Sequence, residues 1–81
     1  MKSMRLYITN NGSYIATKTD EGYILNMAKV DMLVDKYGNT SINCLLLGDN
    51  INMFEGCIAV IELSSNSLYF KAYKNMLDNI K

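Results

Sequence analysis

The sequence predicts an α+β fold: a small antiparallel sheet of four to five strands packed against one central helix, with a short helix at the C-terminus. Three observations carry this expectation. The β-rich runs RLYITN and SYIATK flank Asn11-Gly12; Tyr23, Met27, Val30, Val34 and Tyr37 recur at helical spacing; and CIAVIEL is a continuous apolar run. The 81 residues fit one domain spanning residues 1–81. A chain this short hides only roughly 60% of its unfolded surface, so its core must be economical.

Asn11-Gly12 favours a type I′ turn, with positive φ at both central residues. A loop of those two residues sets Tyr7 opposite Ala16, Leu6 opposite Thr17 and Arg5 opposite Lys18. One face of the hairpin (5–9 with 13–18) then carries Leu6, Ile8 and Ile15. The other carries Arg5, Tyr7, Thr9, Tyr14, Ala16 and Lys18, and two opposed cations keep its open end wet.

Residues 20–37 form the expected central helix. Asp20 is its N-cap, Lys36 lies in its last turn and Gly38 ends it in the left-handed region. A strand reading of the same segment has KYGN as a hairpin turn, and it makes the chain nearly all β. TSINCLLLG supplies a strand at 41–47, CIAVIEL a central strand at 57–63, and LYFKAY a strand at 68–73 by its alternation of Leu68, Phe70 and Ala72. KNMLDNIK is the short C-terminal helix. A competing reading is one helix over 68–80, with Tyr69, Tyr73, Met76 and Ile80 on a stripe.

Several chemistries lack their residues. Histidine is absent, which removes the commonest general base and metal ligand. Cys44 and Cys57 alone cannot complete a zinc site, and they are expected to be reduced and buried. Glycine-rich phosphate loops and nucleophile elbows do not occur. Asp49, Asn50, Asn52 and Glu55 do not meet the spacing of a calcium loop. No enzyme activity, cofactor or metal is expected.

Net charge is zero but unevenly spread. Residues 1–18 hold Lys2, Arg5 and Lys18 without an acid, whereas residues 19–62 hold seven acids against Lys29 and Lys36. A balanced total disfavours a dedicated nucleic-acid binder. The N-terminus has no apolar core of a secretory signal and no run reaches membrane-spanning length, so a cytoplasmic protein without membrane contact is expected.

The partner-binding residues expected from sequence are Arg5, Tyr7, Tyr14 and Lys18, a face of aromatics interleaved with cations. Asp31 and Asp35, on the exposed face of the expected helix, are the second set. Tyrosine and arginine anchor protein interfaces, and the same residue types stack on single-stranded nucleic acid.

On the all-β reading, the order strand, KYGN turn, strand, loop, EGCIAVIEL, turn, LYFKAY resembles an OB-fold meander. That resemblance implies a small single-stranded nucleic-acid-binding protein, the alternative function. The Asn-rich composition without Pro, His or Trp resembles small proteins of phages or mobile elements. The leading expectation is a non-enzymatic protein-binding module, an inhibitor that occludes or modulates a larger host protein of defence or nucleic-acid processing. Homodimerisation through an exposed strand edge is a further expectation.

Overall fold

The first turn shows how the chain sets its register. The structure, a computed structural model, describes residues 3–47 and 56–80. Strands β1 (Ser3–Thr9) and β2 (Gly12–Lys18) pair antiparallel, from Thr9 opposite Gly12 to Ser3 opposite Lys18. The turn is therefore Asn10-Asn11, not Asn11-Gly12. The Thr9 hydroxyl donates to the Gly12 carbonyl at 2.9 Å and accepts the Asn11 N–H at 3.0 Å. Positive φ falls on Gly12, at 130°, and on neither asparagine. This moves the pairing by two residues, so Tyr7 faces Tyr14 and Arg5 faces Ala16. A shift of two leaves every side chain on its expected face, because strands repeat with period two. It also removes the opposition of Arg5 and Lys18.

The expected helix over 20–37 is instead a β-hairpin. β3 (Ile24–Val34) and β4 (Thr40–Leu46) pair from Ala28 opposite Leu46 to Val34 opposite Thr40. Gly38, at φ 83°, belongs to the turn between them, where its N–H donates to the Asp35 carbonyl at 3.0 Å. The strand prevails because Met27 is buried on one side of a sheet and Ala28 and Val30 on the other. A helix buries one stripe and would leave Ile24, Leu25 and Met32 partly off it.

β5 (Cys57–Glu62) pairs antiparallel with β1. Among the described residues the sheet has five strands in the order β4-β3-β2-β1-β5. β4 and β5 are its two edges, so the sheet is open and CIAVIE is an outer strand rather than the expected central one. The class is mostly β, nearer the all-β reading than the α+β one with its central helix.

Residues 68–73 are not a strand. They begin α1 (Leu68–Asp78), which extends further toward the N-terminus than the expected short helix. The Ser67 side chain caps it, accepting the Tyr69 N–H at 3.2 Å. Tyr69, Tyr73, Met76 and Leu77 then lie on one face against the sheet, and this helical stripe outweighs the short alternation of 68–73.

Under α1, Leu6, Ile15, Ala28, Val30 and Tyr73 form the main core, and the Tyr73 side chain is fully buried. Its hydroxyl reaches an irregular point of the sheet. Between β2 and β3 the register slips from Ile15 opposite Ala28 to Thr17 opposite Leu25. Asn26 sits at this bulge with φ 55°, in the left-handed region that asparagine tolerates better than most residues. The Asn26 carbonyl accepts the Tyr73 hydroxyl at 2.8 Å, and the Thr17 hydroxyl lies 2.9 Å from the same phenol oxygen. A single phenol proton serves the carbonyl, so Thr17 donates to Tyr73.

Tyr73→Phe keeps the ring but leaves the Thr17 hydroxyl and the Asn26 carbonyl without this partner. We expect a loss of about 1–3 kcal/mol in urea unfolding at neutral pH. Burial, the largest cause, also raises the Tyr73 phenol above its ordinary 10.0. A raised folded pKa gives stability that is present below pH 10.0 and is lost as pH rises through the folded value. The variant should therefore show a shallower alkaline decline than the wild type.

Candidate protein-interaction surface

The sheet face away from α1 carries the residues singled out from sequence. Tyr7, Ala16 and Met27 are buried there, with Tyr14, Ile24, Leu47 and Cys57 packed around them. Tyr7 stands between Tyr14 on β2 and Val60 on β5. It is only 4% exposed, and burial pushes its phenol above the ordinary value while the neighbouring Arg5 guanidinium pulls it down. The structure thus brings Arg5, Tyr7, Tyr14 and Lys18 to one face, as the sequence implied, but closes Tyr7 into a packed cluster. Tyr14 and Lys18 are half-buried. Arg5 is half-buried too, and its Nε is buried without a hydrogen-bond partner. Glu62 stands opposite it in the ladder.

Asp31 and Asp35 lie elsewhere, on the β3–β4 hairpin. β3 has 11 residues against 7 in β2 and in β4. The β2–β3 ladder stops at Ser13 opposite Val30. From Asp31 to Val34, β3 has β4 as its ladder partner among the described residues. The hairpin consequently overhangs the sheet as a two-stranded arm. Met32, Leu33, Val34 and Tyr37 on this arm are each more than half exposed. By strand alternation Met32 and Val34 take the α1 side and Asp31 and Leu33 the other, so both faces of the arm carry apolar side chains and Asp31 shares the face of Leu33. On the helical reading Val34 and Tyr37 belong to the packed stripe; the structure leaves both open.

The tip of the arm is organised by Asp35. Its Oδ1 accepts the N–H groups of Tyr37 at 2.8 Å and Asn39 at 2.9 Å, and its Oδ2 accepts the Asn39 side-chain amide at 3.2 Å. This is an Asx-type turn, the side chain standing in for backbone. The bond from the Asn39 N–H is the main cause that lowers the Asp35 carboxyl below its ordinary 3.8. Lys36 Nζ sits 5.1 Å from the centre of the Tyr37 ring, within cation–π range. Asp35 is thus a structural residue of the tip, and Asp31 is the exposed acid along the arm.

Among the described residues no three His, Cys, Asp or Glu side chains are grouped to hold a metal. A cavity of about 370 Å³ lies between β4 and α1, lined by Ile42, Cys44, Ala72, Asn75, Met76 and Ile80 among others. Its thiol, Cys44, is pushed up by burial and so is held as the protonated, less nucleophilic form. Both cysteines are free, and each is half-buried rather than fully buried. The calcium-like segment Asp49–Glu55 lies outside the described residues. No helix among the described residues is long and apolar enough to cross a membrane.

No family model matches the chain, and no curated protein or solved structure matches it.

Two expectations follow. Tyr7→Ala should cost about 3–5 kcal/mol in denaturant unfolding, as large core truncations do, and Tyr14→Ala markedly less. At the arm tip, a depressed carboxyl pKa gives stability that is present above 3.8 and is lost as pH falls through the lower folded value. Amide exchange at Tyr37 and Asn39, followed by NMR, should therefore gain protection between acidic and neutral pH in the wild type. Asp35→Ala should abolish that gain.

Proposed function

We propose that this chain is a small non-enzymatic protein-binding module, and that the β3–β4 arm is its principal contact. The observation that supports this most is the overhang with four large apolar side chains open to solvent. A two-stranded ribbon is marginal on its own in water. Exposing apolar groups on both of its faces is costly unless a partner covers them. Asp31 beside Leu33 supplies a charge that favours a basic rim on the partner. Tyr14 and Lys18 on the face away from α1 are a second contact region.

Occlusion or modulation of a larger protein suits a module of this size. The narrower reading, an inhibitor carried by a phage or mobile element and aimed at host defence or nucleic-acid processing, is supported by composition alone. The nucleic-acid alternative is less well supported. Base stacking needs open rings, and Tyr7 is not open.

The test compares capture by wild-type protein with capture by Leu33→Ser/Tyr37→Ala from lysate of the source cell. Surface changes of this kind should alter stability by no more than about 0.5 kcal/mol each, and the circular dichroism spectrum should be unchanged. Loss of the captured partner is the expected result. Undiminished capture by the variant would remove the arm as the contact.

A further inference from the structure

The two outer strands of the sheet differ in what packs on them. Beside β4 lies α1, and residues of both line the cavity described above. Among the described residues β5 pairs with β1 on one side and ends the sheet on the other. Its sequence, CIAVIE, holds one ionised side chain and neither lysine nor proline. Those are the residues by which outer strands are commonly kept from pairing. Ile58, Val60 and Ile61 are 70%, 50% and 45% exposed.

The ladder fixes which backbone groups point outward. The Leu63 N–H donates to the Met4 carbonyl at 2.8 Å, and Leu6 faces Ile61 two residues along. In an antiparallel ladder hydrogen-bonded pairs alternate with non-bonded ones. Ile61 therefore turns its backbone toward β1, and Val60 and Glu62 turn theirs away. Ile58 is the extra residue of a bulge, since Ala59 faces Ile8 and Cys57 faces Thr9. The regular open edge is Val60–Glu62.

We propose that this edge pairs antiparallel with the same edge of a second copy, across a two-fold axis at Ile61. Each Val60 then exchanges both backbone hydrogen bonds with Glu62 of the second copy. The two Ile61 side chains meet as a non-hydrogen-bonded pair on the α1 side, where side chains approach most closely. An axis at Glu62 would set two carboxylates directly opposite. An axis at Val60 would draw the Ile58 bulge into the ladder. At Ile61 the carboxylates are diagonal, and each keeps Arg5 opposite it within its own sheet. A second copy matches this edge in length, parity and charge because the contact is isologous. The arm lies toward the opposite edge, so the dimer contact and the proposed partner contact are independent.

Sedimentation equilibrium of the whole chain over a range of concentrations should show the mass rising from one copy to two. Val60→Pro removes an outward N–H and no bond to β1, so it should hold the protein monomeric with an unchanged circular dichroism spectrum. Val60→Lys should do the same by charge and serves if the proline disturbs the strand. Ile61→Cys should cross-link to itself on mild oxidation, identified by peptide mass. A monomer at every concentration would overturn the proposal. So would a dimer that survives both Val60 substitutions, or an Ile61→Cys variant whose new thiol never links to its counterpart.

Discussion

The contact of the Tyr73 hydroxyl with the Asn26 carbonyl holds the two layers in one arrangement. Asn26 breaks the β2–β3 ladder, and its carbonyl would otherwise face an apolar core without a partner. Tyr73 supplies the donor from α1, and Thr17 supplies one to Tyr73 from the strand beside the bulge. A buried polar group is tolerated only when satisfied, so this trio fixes the seat of α1 on the sheet. The same bulge lets Ile24 and Met27, three residues apart, pack into the Tyr7 cluster on one face, while Ala28 joins Ile15 on the other.

Much of the sheet was legible because strands repeat with period two. β1, β2, β4 and β5 lie where alternation or apolar runs placed them. The faces of the first hairpin were right although its register was off by two. β3 was legible only as the second of two readings, for a physical reason. Over Met27–Val30 it is buried on both sides, and beyond Val30 it is exposed on both sides. The alternation of Ala28, Val30 and Met32 with Lys29 and Asp31 therefore breaks at Tyr23-Ile24-Leu25 and at Met32-Leu33-Val34, and the helical spacing competes with it. The apparent helical stripe joined Tyr23, Val34 and Tyr37, all strongly exposed, with the core residues Met27 and Val30. α1 was half legible, since Leu68, Phe70 and Ala72 imitate a strand and only the Ser67 cap and the Tyr69-Tyr73-Met76-Leu77 stripe resolve it.

The candidate surface was legible in part. Aromatics and cations do share a face, but packing closes Tyr7 and leaves Tyr14 at the margin. The arm had a weaker signal: an acid, two intervening residues and a glycine, the pattern of Asp35 to Gly38, suits an Asx-type turn as well as a helix end. Only the length difference between β3 and β2 shows that the hairpin overhangs, and strand lengths depend on tertiary pairing. One face of the sheet is thus committed to α1, whereas the arm and the β5 edge keep large apolar side chains exposed.

The strand order also has a consequence for how the chain reaches this state. β1 to β4 are a meander, each strand pairing with its immediate successor. β5 joins β1 from the far side, and Tyr73 meets Thr17 across a sequence separation of 56 residues. The local hairpins can close early at little entropic cost, whereas β5 and α1 must wait for a long loop to close. Until then both sides of the growing sheet lie bare and β1 has an open flank. The segment from β5 to α1 therefore acts as the lid of its own folding reaction, and a chain interrupted before it presents a sticky four-stranded ribbon.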